Sequence, residues 1–104
     1  RLREVCGTFS GAVIVVNALY GYSDPKNVQA KAELYSRIQE LAAQFRRDNG
    51  SIICKELLGL SRPEGSPIPE ARTDEYYKKR PCPELCRYSA NMLEEYIREH
   101  PPVK

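Results

Sequence analysis

The chain has 104 residues, a formal net charge of +2 and 29% charged residues of both signs. This length predicts one domain with a modest hydrophobic core, and the mixed charge implies no strong electrostatic partner. The basic run at residues 78–80 follows Asp74 and Glu75, which is typical of a solvated surface and not of nucleic-acid binding. The longest apolar stretch, residues 12–16, is far shorter than the roughly 20 residues that cross a bilayer, so no membrane span is expected.

The first predicted element is a helix over about Arg3 to Tyr20. The β-branched run at residues 13–16 would also suit a strand. However, Gly7, Gly11 and Ala12 place small groups on one face at helical spacing. We predict a central, buried helix that is apolar on most sides, with its glycine face close to another helix.

The second helix has the clearest pattern. Asp24 is a suitable N-cap and Pro25 a suitable first helical residue, and Gly50 supplies a left-handed C-terminal stop. Val28 and Tyr35 are expected to widen its apolar face. That face recurs at helical spacing along Leu34, Ile38, Leu41 and Phe45.

A short third helix is predicted over Ile52 to Leu58, with Ser51 as its cap and Gly59 as its end. This arrangement would place Cys54 where an unpaired backbone N–H can face its sulfur. Residues 61–70 form a predicted internal loop. Its proline and glycine residues are Pro63, Gly65, Pro67 and Pro69.

A short helix is predicted after Thr73, which is its expected cap. The last helix is predicted to begin at Cys82 and Pro83 and to end before Pro101. One face of this last helix carries Leu85, Ser89, Met92, Leu93 and Tyr96. The expected fold is all-α: a single domain over residues 1–104, built as a compact bundle of about four or five helices with a proline-rich connecting loop.

Four cysteines are the main candidates for chemistry, because His100 is the only histidine and no Ser/His/Asp or Cys/His arrangement can be assembled around it. Cys54 and Cys82 lie at predicted helix starts, where backbone N–H groups stabilise a thiolate and lower its pKa. Free cysteine also packs as a small hydrophobe. Packing is the expectation for Cys86, and it is an open alternative for Cys6 and the other two.

Cys82 and Cys86 form a C-x-x-x-C pair. Residues four apart on a helix have Cβ atoms roughly 5–6 Å apart, which suits two ligands of one metal better than a disulfide, whose Cβ atoms lie about 3.5–4.5 Å apart. Cys6, Cys54, Cys82 and Cys86 are therefore candidate ligands for zinc or an iron–sulfur cluster. A second closely spaced pair is missing from the sequence, which weakens the metal interpretation.

Three segments resemble the C_GCAxxG_C_C family of redox-active proteins, and the resemblance runs over essentially the whole chain. The segments are CGTFSGAVIVVNALYG, GSIICKELLG and RPCPELCRYSANMLEE. Cys6, Gly7 and Gly11 match the family's CGAxxG motif, with Thr8 in place of its alanine. Cys54 matches the cysteine before the ELLG sequence, and Cys82 matches the one that opens the last helix.

The resemblance also implies that one family cysteine belongs to an N-terminal helix upstream of this sequence, so that this N-terminal part is expected to be missing here and Cys86 to be an extra cysteine. The leading hypothesis is a thiol oxidoreductase in which Cys6, Cys54 and Cys82 converge. Cys54 and Cys82 would form the reacting pair, with Arg80 adding positive potential.

Two alternatives stay open: a metal or iron–sulfur protein completed by an upstream cysteine, and a non-catalytic helical interaction domain whose cysteines only pack. The expected partner is a redox protein or a small-molecule electron carrier, with no nucleic acid, and a homo-oligomer is left open. Long helices and few cysteines favour a reducing compartment, the cytoplasm.

Overall fold

A computed structural model of the protein describes residues 2–60 and 66–102. Within these residues the protein is all-α, as predicted, with its core where α1 packs against both α2 and α5. In this part of the chain no helix is both long and apolar enough to span a bilayer. The helices are α1 Gly7–Tyr20, α2 Val28–Asn49, α3 Cys54–Leu57, α4 Asp74–Lys79 and α5 Cys82–Glu99.

The core consists of apolar side chains that α1, α2 and α5 direct toward one another. Phe45 of α2 is fully buried, and its ring meets the rings of Phe9 and Tyr88 edge to face. Such aromatic contacts stabilise a fold beyond the area that they bury. The other buried apolar residues of the three helices are Ala12, Val16, Leu34, Leu41, Ala42, Leu85, Met92 and Tyr96.

The apolar face predicted for α2 is confirmed, but its predicted width is wrong. Val28 is 76% exposed and Tyr35 is 53% exposed, because α1 and α5 cover a single face of this helix.

The first helix begins later than predicted. Residues 3–6 are not helical, since Val5 forms an antiparallel bridge with Ile53 and Cys6 N–H donates to the carbonyl of Ile52 at 2.8 Å. These backbone bonds use extended geometry that a helix from Arg3 could not supply. The helix therefore starts at Gly7.

The glycine face of α1 does not meet another helix, contrary to prediction. A Cβ added at Gly7 or Gly11 would find no atom within 4 Å, and Ile14 is 70% exposed. The helix is central to the bundle, but it is buried along one side only, where Phe9, Ala12 and Val16 lie.

Side-chain caps begin two of the described helices, α2 and α4, and the cap predicted for α2 is wrong. Asn27, not Asp24, caps α2 by accepting a hydrogen bond from the N–H of Ala30, while Asp24 accepts one from Lys26 in the preceding turn. The error arises because both residues are good caps and only the turn geometry decides between them. The left-handed stop at Gly50 and the cap at Thr73 are confirmed.

The third helix is shorter than predicted, because it covers only residues 54–57 and follows Ile53 as its capping position. The Ser51 hydroxyl accepts from the N–H of Ile53 and donates to the Glu56 carboxylate. Residues 66–70 of the predicted loop, and residues 71–73 after it, form neither helix nor strand. The rest of that prediction, residues 61–65, lies outside the described residues.

Two side chains of α5 tether it to the other long helices. Ser89 is buried and donates to the carbonyl of Thr8 at 2.7 Å, at the beginning of α1. Tyr88 donates to the carboxylate of Asp48 near the end of α2. Burial and this hydrogen bond raise the pKa of Tyr88 to about 12. The first bond holds α5 against the start of α1, and the second holds it against the end of α2.

Candidate functional site

The N-terminal segment brings Cys6 next to Cys54. Residues 3–6 run antiparallel to residues 52–55, with hydrogen bonds from Cys6 N to Ile52 O at 2.8 Å and from Cys54 N to Glu4 O at 2.6 Å. A further bond joins residues 55 and 3 at 3.0 Å. Cys6 lies opposite Ile52 and Cys54 lies opposite Glu4, so the two cysteines are diagonal neighbours across this pairing.

This pairing corrects one expectation for Cys54. Its backbone N–H is not left for the sulfur, because it donates to the carbonyl of Glu4, and the next N–H, of Lys55, donates to Arg3. These two N–H groups are therefore not available to the Cys54 sulfur.

Cys82 reaches the same region through the buried face of α5. That face runs through Leu85, Ser89, Met92 and Tyr96, and Cys82 lies three residues before Leu85, so it extends the face to the helix start. The bond from Ser89 to Thr8 holds this side of α5 against the beginning of α1. Cys82 is half-buried, and it lies close enough to Cys6 for their charges to interact.

Electrostatic interactions connect the three thiols. Burial raises the pKa of the Cys82 thiol, and repulsion from the charged forms of Cys54 and Cys6 raises it further. Arg80 and the backbone N–H of Cys82 act in the opposite direction. The expected lowering of the Cys82 pKa at a helix start is therefore wrong, because desolvation outweighs the helix N-terminus and Arg80.

Each of the other two sulfurs has a polar side-chain neighbour. The sulfur of Cys6, which is only 7% exposed, lies 3.1 Å from the Thr8 hydroxyl oxygen. The sulfur of Cys54 accepts a hydrogen bond from the guanidinium of Arg3 at 4.0 Å. The residue that departs from the family motif, Thr8, therefore touches the motif cysteine directly.

Sequence reasoning missed both contacts. Arg3 was assigned to the first helix, and its position beside Cys54 depends on the backbone pairing described above. A weak signal was available, since Val5 and the pair Ile52-Ile53 are β-branched residues that favour extended pairing. The sequence carries no signal for the contact between the Thr8 hydroxyl and the Cys6 sulfur.

Cys86 differs from the other three cysteines. It is exposed, so the prediction that it packs in the core is wrong; it lies one turn beyond Cys82 but off the buried face of α5. It lines a pocket of about 390 Å³ at the start of α5. The residues that line this pocket are Arg72, Tyr76, Tyr77, Arg80, Cys82, Pro83 and Cys86.

All four cysteines lie in the described part of the chain, and all four are free thiols. In that same part, no group of three or more cysteine, histidine, aspartate or glutamate side chains is arranged to hold a metal ion. His100 stacks on Tyr96 at the opposite end of α5. The described residues thus do not fit a zinc or cluster site.

The fold is that of a small helical protein, in which Cys6, Cys54 and Cys82 lie at the starts of α1, α3 and α5. The chain belongs to the family described as "Putative redox-active protein (C_GCAxxG_C_C)", whose sequence profile matches residues 1–96. No curated protein and no solved structure shows significant similarity to it. Family membership supports a redox role and leaves the specific reaction open.

Proposed function

We propose that the protein performs reversible thiol–disulfide exchange, with Cys54 and Cys82 as the reacting pair. One observation carries this proposal. Cys6, Cys54 and Cys82 come from three distant segments, and Cys82 lies close enough to the other two for their charges to interact. Membership of a redox-active family supports it.

The three sulfurs differ in access. Cys54 and Cys82 are both half-buried, and Cys54 lies beside the Arg3 guanidinium, a cationic neighbour that is typical of reactive cysteines. Cys6 is buried and lies against the Thr8 hydroxyl. Cys54 and Cys82 are therefore the accessible pair, and Cys6 is the third thiol that either could exchange with.

In this reaction a disulfide-bearing partner takes two electrons from the protein. One cysteine thiolate attacks a sulfur of the partner disulfide, and one partner thiol leaves. The second cysteine then attacks the mixed disulfide, the second partner thiol leaves, and Cys54 and Cys82 end as one disulfide. The partner has gained two protons and two electrons as two thiols.

Bond formation requires the two sulfurs to approach to about 2 Å, whereas they are free thiols here. The element suited to this movement is α3, which has four residues and no buried side chain. Its displacement would have to carry the paired residues 3 and 4 along or break their backbone bonds to Cys54 and Lys55, and it would shift Leu57, which packs against the core.

The test is to oxidise the reduced protein with diamide, which converts thiol pairs into disulfides, and to map the link by tryptic digestion and mass spectrometry. Trypsin leaves Cys54 in residues 48–55, but it leaves Cys82 and Cys86 together in residues 80–87. The Cys86→Ser variant is therefore the right background, since its 80–87 peptide holds one thiol. We expect a link between these two peptides.

Matched controls are Cys54→Ser and Cys82→Ser in the same background, each of which should abolish this link. A dominant link to the peptide of residues 4–26, which contains Cys6, would contradict the choice of pair. If every thiol stays free under diamide, the redox proposal is wrong and a domain whose cysteines only pack is favoured.

A further inference from the structure

The pocket at the start of α5 is a site where a small molecule can reach the Cys82 and Cys86 thiols. Its volume of about 390 Å³ falls within the range of pockets that hold small ligands. Two thiols, Cys82 and Cys86, line it. The rings of Tyr76 and Tyr77 and the ring of Pro83 supply apolar surface.

The charge of this pocket has one sign. Among the described residues that line it, both charged ones are arginines, Arg72 and Arg80. Their guanidinium carbons lie 4.5 Å and 5.2 Å from the centre of the Tyr76 ring, so one aromatic ring positions both. Arg80 also pairs with the carboxylate of Glu70 at 2.8 Å, which leaves exposed Arg72 as the main candidate for an incoming anion.

We propose that this pocket binds a small disulfide that carries carboxylate groups, with Arg72 as the main carboxylate ligand, Arg80 adding positive charge, and Cys82 as the attacking thiol. The inference rests on the proposed function and adds the substrate class to it. A planar guanidinium is well matched to a carboxylate, because it can donate two parallel hydrogen bonds. The apolar walls would contact the methylene groups between the carboxylate and the sulfur.

The reaction balances in two steps. The thiolate of Cys82 attacks one sulfur of the bound disulfide, the S–S bond of the ligand breaks, and the leaving thiolate takes up a proton. Cys54 then attacks the sulfur of Cys82 in the mixed disulfide, which releases the second ligand thiol. One ligand disulfide has become two thiols, and the protein dithiol has become one disulfide.

Cys82 is the attacking thiol, and not Cys86, because Cys82 is half-buried on the side of α5 that the Ser89–Thr8 bond holds against the start of α1. Cys86 is exposed and lies off that face. A mixed disulfide at exposed Cys86 could not be resolved by Cys82 without distortion. Their Cβ atoms are separated by roughly 5–6 Å at this helical spacing, beyond the usual range of a disulfide.

The test compares three disulfides of similar length and different charge: 3,3′-dithiodipropionate, bis(2-hydroxyethyl) disulfide and cystamine. The readout is the rate at which the Cys54–Cys82 link forms in the Cys86→Ser protein. Each rate is divided by the rate of the same disulfide with N-acetylcysteinamide, a neutral thiol, which removes differences in intrinsic reactivity. We expect the dianion to react about tenfold faster than the dication at low salt, and this ratio to fall as salt rises.

Two arginine variants separate pocket recognition from net charge. Arg72→Gln removes a pocket cation, whereas Arg87→Gln removes an exposed arginine of α5 that pairs with Glu84 outside the pocket. We expect Arg72→Gln to lower the dianion-to-dication ratio roughly threefold or more and Arg87→Gln to leave it unchanged. The neutral disulfide should react equally with both variants, which verifies that the site is intact.

The outcomes distinguish this inference from the proposed function. The pocket assignment would be wrong if the three disulfides gave equal normalised rates, or if both arginine variants lowered the dianion-to-dication ratio equally. The proposed function would stand in both cases, because the Cys54–Cys82 link would still form. If diamide forms the Cys54–Cys82 link but none of the three disulfides does, the inference fails alone. If diamide forms no link, the proposed function fails first.

Discussion

The proton of Cys82 is held more tightly than that of an ordinary cysteine. Burial is the main cause of the raised pKa, and the neighbouring thiols Cys54 and Cys6 add to it. Since the thiolate is the nucleophile in disulfide exchange, a raised pKa reduces the reactive fraction at neutral pH. At neutral pH Cys82 therefore attacks disulfides more slowly than a thiol of ordinary pKa would.

This property predicts a pH dependence. In the Cys86→Ser protein, alkylation of Cys82 by iodoacetamide should reach half its maximum rate at a higher pH than in the same protein unfolded in urea, where the pKa is expected near 8.5. Peptide mass spectrometry of residues 80–87 reads out this cysteine alone. Replacement of Cys54 by alanine removes one repulsive charge, so the midpoint should move partly back. A midpoint at lower pH in the folded protein than in the unfolded one would contradict the raised pKa of Cys82.

The same shift has a defined sign for stability. The folded protein binds the Cys82 proton more tightly than the unfolded chain does, because the folded pKa is the higher one. This thiol therefore contributes its stabilisation below the unfolded pKa, and the contribution is lost as the pH rises through the folded pKa.

At the scale of helices, α2 shows which local signals decide a boundary. Asn27 has the capping geometry, with its side-chain oxygen 3.0 Å from the N–H of Ala30, whereas Asp24 serves the turn before it. We predict that Asn27→Ala lowers the free energy of unfolding by about 1 kcal/mol, because the first turn of a 22-residue core helix loses its cap. Asp24→Ala should cost less.

Urea denaturation of the two variants measures this difference directly, and the slope of the transition should stay unchanged if only stability is affected. Their circular dichroism at low urea provides the control for intact helices. If Asp24→Ala lowered the free energy of unfolding more than Asn27→Ala does, Asp24 would be the cap of α2, as the sequence predicts.

The helices themselves were largely predictable from local patterns. The apolar spacing of α2, the left-handed Gly50, the cap at Thr73 and the proline in the first turn of α5 are each encoded within a few residues. The start of α1 was not, because residues 3–6 pair with residues 52–55. No local pattern specifies a backbone partner so far along the chain.

At the scale of the whole molecule, the same division applies to the site. The family motif pointed to Cys6, Cys54 and Cys82 from the sequence alone. The sequence alone could not predict the neighbours of these cysteines. Arg3 reaches Cys54 because residues 3–6 pair with residues 52–55, and Thr8 contacts α5 through Ser89. The pKa of Cys82 is raised, where the sequence predicted a lowered value, because the thiol is partly buried. Only tertiary structure provides this burial.

Because the reacting pair joins segments far apart in sequence, oxidation should change the stability of the entire domain. A disulfide between Cys54 and Cys82 would close a loop of about 29 residues, which in the chain-entropy treatment stabilises the folded state by about 3–4 kcal/mol. We therefore predict that diamide raises the urea midpoint of the Cys86→Ser protein by roughly 2 M, and that dithiothreitol reverses the shift.

The size of the shift reports how well the fold prepares the pair. Cys54→Ser in the same background is the matched control, and diamide should leave its midpoint unchanged. A full shift means that α3 reaches Cys82 with little strain, since strain in the native state subtracts from the entropic gain. A midpoint that falls on oxidation would mean that the bond distorts the bundle, and the gathered thiols would then not be a pair that the fold is built to join.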